Sequence, residues 1–155
     1  MIVEKQELKL NSLISLRKNM TQQEIPSEMT KLQLYLKSVG ANKVGPSIST
    51  TFNVVQAVIP IMDMEILIPI DKEIGGTPEY KVKKEFLITN AIKIIHKGNP
   101  MMLQNTINEI NAYMQLNNLQ PITSAYNVAI QDAKDLSDID NVEIHIYVGI
   151  NPNKL

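Results

Sequence analysis

Two glutamates near the head of apolar strands have the residue type and spacing to do chemistry. Glu143, His145 and Tyr147 alternate with Ile144, Ile146 and Val148 in VEIHIYVGI, and Glu65 alternates with Met64 and Ile66 in MEILIPI. A strand sends successive side chains to opposite faces, so Glu143, His145 and Tyr147 share one face, as do Glu65 and Leu67. If the isoleucines pack on a helix, these carboxylates look toward the other side of the sheet. A carboxylate partly buried among aromatic rings attracts a cationic or hydrogen-bond-donating ligand, and desolvation raises its pKa. The competing reading is a solvated strand position. Glu143 with His145 also has the make-up of an acid–base pair. Neither histidine has a serine or cysteine nucleophile nearby, so no catalytic residue is assigned and the chain is not read as an enzyme.

Other chemistries find no support. His96 and His145 stand about 50 residues apart with no third ligand at metal spacing. The chain has 0 Cys, which removes thiolate metal sites and disulfides and fits a cytoplasmic protein. It has no glycine-rich phosphate loop, dinucleotide fingerprint or glycosidase-type carboxylate pair. No metal and no cofactor are expected. A net charge of −1, from 15 Lys+Arg against 16 Asp+Glu, offers no basic stripe for direct nucleic-acid binding. The nearest run, Lys81, Lys83 and Lys84, is interleaved with Glu79 and Glu85 and reads as a solvated segment. The first 16 residues have no continuous apolar core or cleavage site for a signal peptide, and no run approaches the roughly 18 apolar residues of a membrane span.

The elements that must position the glutamates recur. Residues 29–55 and 64–70 match 107–130 and 142–150, so that Tyr35 falls on Tyr113, Gly40 on Asn118, Phe52 on Tyr126 and Glu65 on Glu143. Such a duplication predicts a pseudo-twofold domain with a ligand-sized seam between its halves. Residues 2–16 read as a strand. Thr21 and Glu24 form a capping-box pattern, and Pro26 opens a helix striped by Met29, Leu32, Tyr35, Leu36 and Val39 and ended by Gly40. Residues 48–59 read as extended, and residues 64–70 as a half-buried strand whose Pro69 marks a sheet edge. Gly75-Gly76-Thr77-Pro78 divides the halves near residue 76. Residues 84–97 form a strand. The second helix carries Met101, Leu103, Ile107, Ile110, Tyr113, Met114 and Leu116 and is capped by Asn117-Asn118. Strands near 122–130 and 142–150 finish a single 155-residue domain. The expected class is α+β: a strand-helix-strand-strand unit twice over, one antiparallel sheet with two helices packed on one face.

At HKGNPMMLQNTINEINAYMQLNNLQPITSAYNVAI followed by DNVEIHIYVGI, the chain resembles the effector-binding domain of GyrI-like proteins. That domain is also the ligand module of AraC-type and MerR-type multidrug regulators. The resemblance covers nearly the whole chain. It rests on His96-Lys97-Gly98 before the second helix, the Gly45-Pro46 turn, the Tyr126 strand and the closing strand with Glu143.

The resemblance implies a stand-alone module that holds a small, partly apolar ligand, aromatic or cationic, in the cleft between the repeats. Tyr126 and Glu143 would line it, with Glu65, Tyr113, Tyr147, His145 and Phe52 as further candidates. Where the family carries Glu-x-Tyr, with the glutamate as cation anchor, this chain reads Ser124-Ala125-Tyr126, and its first half reads Thr50-Thr51-Phe52. The anchor is absent from both. A small hydroxyl there suits a neutral or anionic ligand. Gyrase-binding members suggest a second reading, a module for a protein partner, and a small hydrolase is a third. Tyr35 and Tyr113 also fit as core residues with their hydroxyls at the edge.

Overall fold

The computed structural model describes residues 1–132 and 134–153. Its strands are β1 (Ile2–Met20), β2 (Ile48–Val55), β3 (Ile61–Pro69), β4 (Tyr80–Lys97), β5 (Pro121–Gln131) and β6 (Glu143–Ile150). Its helices are α1 (Ile25–Ser38) and α2 (Leu103–Leu116). With antiparallel ladders and two helices, the class is α+β, as expected. The hydrogen-bonded strand order, β1-β3-β2-β5-β6-β4, closes as a barrel, which corrects the expectation of an open antiparallel sheet. Strands β1 and β4 run 19 and 18 residues, well past the periodic segments the sequence shows, and long antiparallel strands twist and curl. Two compact units result: Leu10–Phe86, and Met1–Lys9 together with the chain from Leu87 onward.

In the Leu10–Phe86 unit, β3 pairs with β1 on one side and with β2 on the other. Pro69 is opposite Leu13, and its carbonyl accepts from the Val44 N–H at 3.0 Å. Pro69 thus has a strand partner on the β1 side, while the β2 ladder stops at Leu67 and only the segment before β2 uses its carbonyl, a place where a missing N–H costs nothing. Ile14, Leu16 and Met20 of β1, Leu32 and Leu36 of α1, and Met64, Ile66, Ile68 and Ile70 around β3 form one core. The other face is buried too: Leu13, Ser15, Ile48, Thr50, Glu65 and Leu67 are all nearly inaccessible. The half-buried strand expected at 64–70 is buried on both faces, and its polar Glu65 lies within that second face. Helix α1 follows a capping box in which the Thr21 N–H donates to Glu24 Oε1 at 3.0 Å. It stops at Gly40, whose φ of 71° suits a residue without Cβ.

In the other unit, β6 lies between β4 and β5. Ile92 and Ile94, Ile110 and Met114, and Ile146, Val148 and Ile150 make its core, with Ile107, Tyr113 and Ile144 packed at the margin. The stripe on α2 is narrower than its sequence suggests. Met101 precedes the helix in a 3-10 turn and Leu116 sits in its last turn, and both are exposed. Asn118 ends α2 at φ 54°, and the Leu119 N–H reaches back to the Met114 carbonyl at 2.9 Å. Among the described residues no helix is long and apolar enough to cross a membrane.

Candidate functional site

Among the described residues, Glu65 is one of two buried carboxylates in the Leu10–Phe86 unit, the other being Glu28 of α1. The alternation that sends Met64, Ile66 and Ile68 to α1 sends Glu65 to the opposite face, where its register partners are Arg17 on β1 and Thr50 on β2. Its side chain is 6% accessible. Ser15 Oγ donates to Glu65 Oε2 at 2.5 Å, and Lys83 Nζ reaches the same oxygen at 2.5 Å. A buried carboxylate holds its charge only when paired and hydrogen-bonded, and Ser15 with Lys83 supplies both.

Phe52 is in the same unit but serves a different cluster. It stands at a register shift in β2, between Thr51 and Asn53, and is exposed. The Arg17 guanidinium lies 4.1 Å from its ring centroid and pairs with Asp63 at 3.0 Å. That pairing holds the Asp63 carboxyl below its usual range.

In the other unit, Glu143 and His145 do come together. His145 Nε2 is 3.0 Å from Glu143 Oε2, and Lys97 Nζ is 3.4 Å from Glu143 Oε1. The Glu143 carboxyl is pulled below its usual value, first by the His145 hydrogen bond and then by Lys97, against an opposing effect of burial. The desolvated, raised carboxyl expected from sequence is therefore corrected: the His145 hydrogen bond and Lys97 outweigh partial burial. Tyr147 lies on the same face of β6, with Lys93 Nζ 5.5 Å from its ring centroid, and is opposite Tyr126 in the ladder to β5. Tyr126 is buried. Tyr113 is apart from these. Its hydroxyl donates to Glu4 Oε2 at 2.5 Å, a contact that raises the tyrosine's pKa.

Two residues at the Glu65 cluster are not legible as site residues in the sequence. Lys83 reads as part of a solvated run, yet it pairs with a buried carboxylate. Ser15 leaves a faint trace, as the one polar residue within Leu13-Ile14-Ser15-Leu16. His96, the other histidine, is buried, with Thr106 Oγ1 2.7 Å from Nδ1 and the Asn99 carbonyl 3.0 Å from Nε2, so it fastens the turn before α2. Among the described residues, no three His, Asp or Glu side chains converge as a metal site.

No family model matches the chain, and no curated protein matches it. Solved structures do. The chain superposes on the EcmrR C-terminal domain with a TM-score of 0.72 at 14% identity, covering 94% of this chain and 96% of that one. On EcmrR in its DNA complex the TM-score is 0.78 at 14% identity, and this chain, 97% covered, spans 57% of the EcmrR chain. SAV2435 bound to tetraphenylphosphonium gives 0.52 at 13% identity, covering 97% and 95%. A hydrolase from Listeria innocua gives 0.57 at 11% identity, covering 96% and 93%. At such identities the shared property is the fold.

Proposed function

We propose that this chain is a GyrI-like effector-binding module that takes a small, partly apolar molecule against the buried Glu65 face and acts in regulation. The observation that carries the reading is a carboxylate sequestered on the side of β3 away from its helix, held by Ser15 and Lys83. The fold supports it: SAV2435, with the same fold, is bound to tetraphenylphosphonium, an apolar ligand with one charge, and EcmrR is a DNA-bound protein whose C-terminal domain has this fold. Glu143, His145, Tyr147 and Tyr126 are the second group of candidate contacts. The duplication belongs to the same reading, supported by the matching left-handed ends of α1 and α2 at Gly40 and Asn118. Apolar walls would supply most of the affinity, with the carboxylate fixing orientation. A thermal-shift screen of neutral aromatics, organic cations and organic acids tests the reading. Stabilisation by at least one class is expected, and silence across all three would refute it.

A second reading rests on a different surface. Residues 51–62, TFNVVQAVIPIM, contain no charged side chain, and Phe52, Val54, Val55, Val58, Ile59 and Ile61 are all exposed. An apolar patch of that kind marks a protein-interaction surface. Association measured by sedimentation, alone and with candidate partners, separates it from the first reading. Hydrolysis ranks behind both: the nearest thing to an acid–base pair, Glu143 with His145, has a carboxyl tuned to stay ionised rather than to donate.

A further inference from the structure

The ion pair at Glu65 bears on which ligands the site accepts, an inference that rests on the reading of Glu65 as a ligand contact. Lys83 Nζ is 2.5 Å from Glu65 Oε2, and the two side chains differ sharply in exposure, 38% against 6%. The ammonium thus occupies the place beside the buried oxygen that a ligand's cation would need, and it does so from a tether anchored on β4. A tethered group competes at high effective concentration, about millimolar or more. Displaced, it would remain close by and repel the incoming charge. Arg17, opposite Glu65 in the ladder, is already committed to Asp63, whereas Lys83 is bonded to this carboxylate. A neutral ligand meets no such competition, because the Glu65–Lys83 pair is already balanced.

We propose that Lys83 is a built-in competitor that keeps organic cations off Glu65 and reserves the site for neutral, partly apolar ligands. Specificity of this kind arises by penalising the wrong ligand as much as by fitting the right one. The lysine is a specificity determinant here, whereas Ser15 only orients the carboxylate.

The test uses two probes of similar shape, tetraphenylphosphonium and uncharged triphenylphosphine oxide, in calorimetric titrations. The proteins are wild type, Lys83→Met, Lys83→Met with Glu65→Gln, and Lys81→Met as a control for net charge. Lys83→Met should bind the phosphonium at least about tenfold more tightly than wild type. The gain should vanish in the double variant and be absent from Lys81→Met, with affinity for the neutral probe unchanged. If Lys83→Met is unfolded by circular dichroism, Lys83→Gln takes its place. Equal phosphonium affinity in wild type and Lys83→Met, or a gain that survives Glu65→Gln, overturns the role of Lys83 while leaving Glu65 as a contact open to its own test. No binding of either probe to any variant counts instead against the underlying reading.

Discussion

Removing Lys83 and removing Glu65 should not cost the same, and the asymmetry follows from their exposure. Lys83→Met leaves the Glu65 carboxylate 6% accessible, with the Ser15 hydroxyl still donating to it but its cation gone. Stranding a buried charge costs about 3–5 kcal/mol; because the lysine is 38% exposed, water already screens part of the pair, and about 2 kcal/mol is the expected loss. Glu65→Met leaves Lys83 instead, which can swing its ammonium into water, and a methionine fills the vacated volume with apolar contacts. That loss should stay below about 1 kcal/mol. The double variant should resemble Glu65→Met alone, giving a coupling near 2 kcal/mol. Urea unfolding followed by circular dichroism on the four proteins measures the cycle. For a domain of this size about 2 kcal/mol corresponds to a fall in Tm of roughly 4–8 °C. If Glu65→Met proves the more damaging change, or the double variant loses more than the sum of the two, Glu65 is a structural residue rather than one retained for binding.

The remaining expectations are simpler. The folded pKa of Glu143 lies below its ordinary 4.5, so its contribution is present above that value and disappears as pH falls through the lowered one. Glu143→Gln should therefore lower stability near neutrality, change little at strongly acid pH, and so flatten the acid limb of the stability curve below pH 4.5, as read by unfolding midpoints across pH. Gly40→Ala forces a side chain into φ 71° and should cost about 1 kcal/mol, whereas Asn118→Gly at φ 54° should be neutral within about 0.5 kcal/mol by the same denaturation assay. Val58→Ser with Ile59→Ser, both at exposed positions, should leave Tm within about 2 °C; a weakening of any self-association seen in sedimentation would favour the protein-partner reading.

The local elements are readable because each has a local cause. The capping box at Thr21 and Glu24, the left-handed stops at Gly40 and Asn118, and the period-two run before Pro69 all recur in the structure. What escapes depends on pairing across the chain. Nothing near Pro69 says that β3 has strands on both sides, or that the face holding Glu65 and Leu67 is as buried as the one holding Ile66. Alternation separates two faces without saying which is wet. Lys83 is illegible for the same reason: its partner is 18 residues away, and a lysine among glutamates looks solvated until the ladder is known. For Glu143, the sequence shows the strand but not Lys97, opposite it in the β4 ladder, so the sign of its pKa shift is out of reach.

Whether Glu65 contacts a bound small molecule is the central question. The decisive measurement is a titration of the strongest hit from the thermal-shift screen into wild type and Glu65→Gln, with folding of both verified. At about 100 times its Kd a ligand of the wild type adds about 2.7 kcal/mol of stability, and most of this should be lost in Glu65→Gln. A hit that stabilises both proteins equally would contradict a role for Glu65 in binding.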